Sequence, residues 1–225
     1  SDVCSSDLLA RKLSTQGGRS GFRLVDASLR RQVRNEFVRQ HHFREALQQG
    51  ALQPFFQPIV DLPTGRPVGF EALARWRSSE GNHAPPAEFL PVARQMGLTS
   101  ELDLAVIRSV ISAMPALAEA GAELERSADE PLLMSVNLSA QLLDDPEQRQ
   151  ALLRLLEERP LPEGWQLQVE ILEEALQDGS SEFDAFLSRL AVSNVAIAID
   201  DFGTGYSSLA RLDQLPIQSF KIDRS

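Results

Sequence analysis

Four separate apolar runs of this chain deliver an oxygen-bearing side chain at or near their ends. Glu71 interrupts "PVGFEALARW", Asn137 lies near the end of "LLMSVNLS", Glu170 falls in "LQVEILEE", and Asp200 and Asp201 close "VAIAIDD". Burying an ionised carboxylate is costly unless a cation or hydrogen bonds compensate, so several that converge call for a cation. A set of Glu, Asn, Glu, Asp and Asp offers only oxygen ligands, which suits magnesium or manganese. Lys221 and Asp223 follow in "SFKID". The lysine can polarise a water, oppose the carboxylates, or reach solvent from an edge strand. Taken singly, these residues have plainer readings: Asn137 as a helix N-cap ahead of Ser139, Glu173 and Glu174 as a solvated helix start, and one of the two aspartates as a cap. A single N-cap position cannot employ both Asp200 and Asp201.

Successive side chains of a strand point to opposite faces, so a regular strand cannot aim both aspartates at one point. The chain must bend there, and the sequence places the bend in "FGTG", where Gly203 and Gly205 can take positive φ. Once re-aimed, the two carboxylates serve two ions or bridge them.

The elements that would position these groups follow from periodicity. Strands are expected over Phe55–Val60, Val68–Trp76, Leu132–Leu138, Leu167–Leu172, Val195–Asp200 and Phe220–Ile222, with helices between them, an α/β pattern. In parallel α/β barrels, residues at the carboxyl ends of strands meet on one face. Helices are expected at about Glu101–Ala120 and Glu182–Leu190. A third runs through "DDPEQRQALLRLLEERP", with Asp145 as N-cap, Pro146 at the first helical position and Arg159 in the last turn. Upstream, Leu29, Val33, Phe37 and Val38 recur at helical spacing, so a connecting helix over 29–50 is expected, packed on the domain C-terminal to it. Its adjacent His41 and His42 face about 100° apart and read as a solvated face, not a metal pair.

With 225 residues, 43% of them hydrophobic, the chain can build one large domain and an extra segment. A net charge of -10 argues against a duplex nucleic acid partner, whose binding depends on basic side chains. The single cysteine excludes an internal disulfide framework and a thiolate cluster. No apolar stretch approaches the roughly 18 residues of a membrane span, and a cytoplasmic location is expected. "DVCSSDL" near the start is the translation of a common sequencing-adapter end, so residues 1–8, Cys4 included, are set aside as read-through.

In this order and spacing, "FFQPIVDLPTGRPVGFEALARW", "SVNLS", "VEILEE", "IDDFGTGYSSL" and "FKIDRS" resemble the EAL-domain cyclic di-GMP phosphodiesterases of bacterial second-messenger signalling, from about Leu52 to the last residue. The resemblance implies a modified TIM-like (β/α) barrel whose first strand is antiparallel to the rest. It implies hydrolysis of cyclic di-GMP to the linear dinucleotide with two Mg2+ or Mn2+ ions, held by Glu71, Asn137, Glu170, Asp200 and Asp201. Such ions supply a nucleophile from water and stabilise the departing alkoxide. It gives catalytic parts to Lys221, Asp201 and Glu71, contacts with the nucleotide to Gln57, Leu73 and Arg75, and supporting parts to Glu173 and Asp223.

Residues 9–28 resemble the tail of a GGDEF diguanylate cyclase domain, which implies an adjacent cyclase domain in the same chain, and an EAL–EAL homodimer is a further expected partnership. Two departures from the family pattern are Leu172, where a threonine is usual, and Arg94, where an acidic residue is usual. Residues 51–225 stop before the family's last two strands, so the barrel is expected to be incomplete and these residues alone to have little or no activity. The alternative is a degenerate EAL domain that binds the nucleotide, or a protein, without cleaving it.

Overall fold

The computed structural model describes residues 27–77, 81–121, 131–177, 180–203 and 212–222. The chain divides into two units, Ser1–Arg44 and Glu45–Ser225. Of the first unit, the described part belongs to helix α1 (Ala27–Gln49), where His41 and His42 are both exposed with ring centroids 6.2 Å apart. The solvated-face reading of that pair holds. Residues 1–26, which carry the adapter and cyclase-tail expectations, lie outside the described residues.

The second unit is a single sheet flanked by helices. Its strands are β1 (Leu52–Val60), β2 (Pro67–Arg77), the short β3 (His83–Ala84), β4 (Leu132–Leu138), β5 (Trp165–Leu172), β6 (Ala196–Phe202) and β7 (Ser219–Ile222). Their spatial order is β1-β2-β4-β5-β6-β7, with β3 paired to β2. β1 is antiparallel to β2, and every pair from β2–β4 to β6–β7 is parallel. Among the described residues β1 and β7 each have one partner strand, so the sheet is open. All six strands read from the sequence are present; β3 escaped notice because two residues carry no period.

The helices are α2 (Pro86–Met96), α3 (Thr99–Ala120), α4 (Ala140–Asp144), α5 (Pro146–Glu158) and α6 (Ser181–Val192), with a 3-10 turn over Glu173–Gln177. Capping explains where several begin. The Asp145 carboxylate accepts from the amides of Glu147 (2.8 Å) and Gln148 (3.4 Å) ahead of Pro146, as expected. Arg159 departs from expectation: it lies just past the end of α5, where it donates to the Ser112 hydroxyl at 2.7 Å instead of completing the last turn.

Alternation sorts the strands into two faces. Val136, Val169, Ile171, Ile197 and Ile199 are sealed into the core with α3 residues such as Ile107 and Met114. The residues between them, Ser135, Gln168, Glu170 and Ala198, therefore share the other face. At full burial each core side chain contributes about 1.5–3 kcal/mol, so the helix-covered face anchors the strands that present the opposite one.

One glycine marks where β2 and β4 meet. A Cβ added to Gly69 would stand 2.5 Å from the Leu133 carbonyl oxygen and 2.9 Å from the Leu133 Cβ. Gly69 is paired with Leu133, two residues below the pairing of Glu71 with Ser135. Gly69→Ala is expected to force these strands apart and to cost about 1–3 kcal/mol, read as a lower urea midpoint at unchanged m-value.

Candidate active site

Five neighbouring strands bring one polar side chain each to the face away from the helices. Glu71 comes from β2, Asn137 from β4, Glu170 from β5, Asp200 from β6 and Lys221 from β7. The Lys221 ammonium is the hub: its Nζ lies 2.6 Å from Glu170 Oε2, 3.2 Å from Glu71 Oε2 and 3.7 Å from Asp200 Oδ1. Asn137 donates through Nδ2 to Glu71 Oε1 at 3.3 Å. Of the readings open for Lys221, the one realised is opposition to the carboxylates, not an edge lysine in solvent.

The electrostatics follow from burial. Glu170 is 1% exposed, and burial pushes its pKa up, opposed by the Lys221 hydrogen bond and reinforced by the negative Glu71 and Asp200 nearby. Burial alone would lower the lysine, but the Glu170 hydrogen bond and the charges of Glu170, Glu71 and Asp200 outweigh it, so its pKa is raised. The three acids thus favour the charged form of Lys221.

Among the described residues no three His, Cys, Asp or Glu side chains already converge as a metal-holding group. The carboxylates are turned toward the ammonium. The donors nevertheless fit a hard divalent ion. They are all oxygens, they already surround a cation, and Glu170 Oε1 is buried with no hydrogen-bond partner. A buried carboxylate oxygen left without a partner is expensive, and a metal bond is one way to satisfy it.

Asp200 and Asp201 sit in a register break. Ile199 pairs with Phe220 and Phe202 with Ile222, so two residues of β6 face the single residue Lys221 of β7. This is a β-bulge, which re-aims side chains that a regular strand would alternate. The sequence placed the bend in the glycines; the structure corrects this in part. Asp201 itself has φ 53, and Gly203 follows with φ 101. An aspartate tolerates the left-handed region better than most residues, which is why the bend can begin ahead of the glycine. Gly205 lies outside the described residues.

Two of the plainer readings are overturned. Glu173 begins a 3-10 turn but is not solvated: it is 4% exposed and accepts from the Gly203 amide at 2.9 Å, which ties the turn after β5 to the turn after β6. Glu174 is exposed, as expected. Asn137 does not cap the helix after it; the cap is Ser139, whose hydroxyl accepts from the Leu142 amide at 3.3 Å. The Asn137 side chain is thereby left for Glu71.

Sequence reading missed Asp103 on α3. Its Oδ2 accepts from the Ser139 amide at 2.8 Å, so it pins the chain two residues beyond Asn137. Burial raises its pKa from 3.8 to about 6, against the opposing hydrogen bonds from Ser139. The available signal was a lone acid inside the apolar run "LDLAVI".

The three residues to which the resemblance gives nucleotide contact lie on the β1–β2 end of the same face. Gln57 is paired with Glu71, and Leu73 with Phe55. Arg75, paired with Gln53, donates to its own neighbour Ala74 O at 2.9 Å and holds its guanidinium carbon 5.5 Å from the Phe55 ring centroid. Of the departures, Leu172 is paired with Asp200 and is 43% exposed, while Arg94 is exposed on α2. Asp223 lies outside the described residues.

Known proteins resemble this chain in both sequence and structure. A family model described as the EAL domain matches residues 40–225. The probable cyclic di-GMP phosphodiesterase PdeB of Escherichia coli is 35% identical over 82% of this chain and 34% of its own length. The cyclic di-GMP phosphodiesterase NbdA of Pseudomonas aeruginosa is 32% identical over 96% of this chain and 27% of its own. The chain thus spans about a third or less of these relatives. Among solved structures, the phosphodiesterase PaMucR in complex with c-di-GMP aligns with TM-score 0.70 at 32% identity, covering 83% of this chain and 72% of that one. The FimX EAL domain of Pseudomonas aeruginosa, bound to c-di-GMP, aligns with TM-score 0.63 at 26% identity, covering 84% and 71%.

Two outcomes are expected from this geometry. Lys221→Met leaves a buried carboxylate cluster without its cation; it should lower stability in metal-free buffer by up to about 3 kcal/mol, and Mn2+ should then raise the melting temperature of the variant more than that of the native chain. For Asp103, the folded pKa lies above the unfolded one, so the fold binds more protons between pH 4 and 6 and loses stability as pH rises through that window. Denaturant unfolding of Asp103→Asn beside the native chain should show the difference moving by about 2 kcal/mol toward the variant between pH 4 and pH 7.

Proposed function

The chain belongs to the EAL domain family, and from that premise we propose that it carries the catalytic face of a divalent-metal-dependent cyclic di-GMP phosphodiesterase, producing the linear dinucleotide. The observation that carries the reading is the convergence of Glu71, Glu170 and Asp200, all within 3.7 Å of one ammonium, with Asn137 bonded to Glu71. Such a cluster is unstable without cations, and a phosphodiester brings further negative charge to it.

In this reading Glu71, Asn137, Glu170, Asp200 and Asp201 hold two Mg2+ or Mn2+ ions. Bound there, the ions supply Lewis acidity toward the phosphodiester and lower the pKa of water. The protein's own groups do the rest. Lys221, beside Glu170 and Glu71, donates a hydrogen bond, so its part is to orient a water or a phosphate oxygen and to limit repulsion among the acids. Arg75 offsets charge on the phosphate oxygens once its guanidinium leaves the Ala74 carbonyl. Gln57 and Leu73 line the way in. Glu173 holds the turn after Asp201 through the Gly203 amide.

The wider setting is part of the same proposal. The alignment with a signalling protein of Caulobacter vibrioides covers 93% of this chain but 24% of that protein, which supports further domains in the intact molecule, and we include a GGDEF cyclase domain on the resemblance of residues 9–28. We include homodimerisation through the EAL domain. No described helix is long and apolar enough to cross a membrane. A dianionic nucleotide does not cross one unaided, so the reading places this site in the cytoplasm.

Among the described residues β7, the strand that carries Lys221, pairs with β6 alone, so turnover depends on how that edge is held. The test therefore begins with binding. Isothermal titration of cyclic di-GMP is expected to give Mn2+-dependent binding that Glu71→Gln and Asp200→Asn each weaken at least tenfold. In a chain extended to the length of the solved relatives, chromatography should then show the linear product. Binding without product in the extended chain would favour the receptor alternative, and no binding at all would overturn both.

A further inference from the structure

Helix α1 carries a surface that the catalytic face does not use. Arg30, Arg34, Phe37, His41 and Arg44 follow one another at spacings of four, three, four and three residues, which brings all five onto one side of a helix. Every one of them is exposed. Phe37, at the centre, is 66% exposed, and Val38 beside it is 48% exposed. All of these residues belong to the unit Ser1–Arg44. The buried Phe43 of the same helix lies about 120° round from Phe37, so the stripe is not the covered side.

Charge sets this helix apart from the chain as a whole. α1 holds five arginines, Arg30, Arg31, Arg34, Arg39 and Arg44, against two glutamates, in a chain whose net charge is -10. The glutamates flank the stripe: Glu36 and Glu45 lie about 100° and 80° from Phe37 on opposite sides. Glu36 accepts from the Gln40 side-chain amide at 3.4 Å. The net charge cannot draw this chain to an anionic surface, so any such attraction comes from the stripe itself. It acts within about 8 Å at physiological salt.

We propose that this side of α1 docks on an anionic lipid bilayer, with Phe37 and Val38 entering the boundary between headgroups and acyl chains and Arg30, Arg34 and Arg44 meeting lipid phosphates around them. An exposed ring and an exposed valine among guanidinium groups match the two layers of that boundary, the apolar one below the charged one. The arginine stems are apolar and their heads charged, so they lie along it without leaving water. Arg30 to Arg44 span about 21 Å, room for several headgroups. A single-stranded nucleic acid fits less well, because its bases call for aromatic platforms in succession and the neighbour of Phe37 is the aliphatic Val38. One helix with so few apolar side chains gives weak, reversible binding. The inference stands apart from the nucleotide reading, since it needs neither metal nor cyclic di-GMP.

The test is co-sedimentation of the 225-residue chain with vesicles of phosphatidylglycerol and phosphatidylcholine in equal parts, beside vesicles of phosphatidylcholine alone. Partitioning into the anionic vesicles should exceed that into the neutral ones at least about tenfold, and should fall as sodium chloride rises from about 0.05 to 0.5 M. Arg34→Gln should lower the partition coefficient about fivefold, the worth of one arginine near an anionic surface. Arg39→Gln removes the same charge about 160° round from Phe37 and should lower it less than about twofold. Phe37→Ser should lower it about fivefold or more, with an unchanged circular dichroism spectrum. The indole of Phe37→Trp should shift its emission to the blue with anionic vesicles and not with inorganic phosphate. Equal partitioning into both kinds of vesicle, equal losses from Arg34→Gln and Arg39→Gln, or no loss from Phe37→Ser would each overturn the proposal. Binding to a single-stranded oligonucleotide with none to vesicles would overturn it in favour of nucleic acid.

Discussion

The contact on which the rest depends is a lysine held among acids. Glu71 and Glu170 both place an oxygen within 3.2 Å of Lys221 Nζ, so those oxygens lie within about 6 Å of each other and would repel by about 3 kcal/mol at an effective dielectric of 20. Asp200 adds a third charge to the same neighbourhood. No apolar packing offsets that unless a cation stands between them. The ammonium does so from β7, which pairs only with β6 among the described residues. Sheet order and site chemistry are thus one constraint: β2, β5 and β6 can carry acids on this face because β7 brings the opposing charge back to it.

The geometry that satisfies the acids arises from irregularities at the edges of the sheet rather than in its centre. β4 and β5 run in continuous parallel register over seven pairs, from Leu132–Trp165 to Leu138–Ile171, and supply Asn137 and Glu170 from ordinary strand positions. β6 breaks register where its two aspartates fall, and Asp201 takes a left-handed backbone. The departure in β6 has a support close by, the Glu173 carboxylate on the Gly203 amide, and the regular end of β4 has its own in the Asp103 carboxylate on the Ser139 amide. Glu173 is buried and Asp103 partly so, and they hold the chain beside Asp201 and Asn137 respectively.

Much of this was legible in the sequence. The alternation of Met134, Val136 and Leu138 against Ser135 and Asn137 is a strand pattern that needs no neighbour to interpret, and the four strands that end in an oxygen-bearing side chain announced a common face. Motif order carried the family. What sequence could not supply were relations between distant segments. The Asp103 brace joins residues 36 apart, the Lys221–Glu71 contact joins residues 150 apart, and neither has a local period. The bulge was anticipated as a bend but assigned to glycine, because the rule for positive φ names glycine first and an aspartate second. β3 was invisible since a pair of residues, His83 and Ala84, has no pattern to read.

That last omission shapes how the face divides. The carboxylate cluster is built from parallel strands whose side chains are locked by one another's charges, and the rim at β1–β3 is built from antiparallel pairing with exposed rings. Charges that must be matched to within a few tenths of an ångström belong on the locked part. Contacts that need only a flat apolar surface can sit at an edge, where a short strand and a mobile guanidinium suffice. A single face therefore combines two settings: fixed charged groups on its parallel strands and exposed rings at its antiparallel edge. The antiparallel first strand is what makes this possible, since it sets Gln57 opposite Glu71 and yet carries Phe55 away toward the rim.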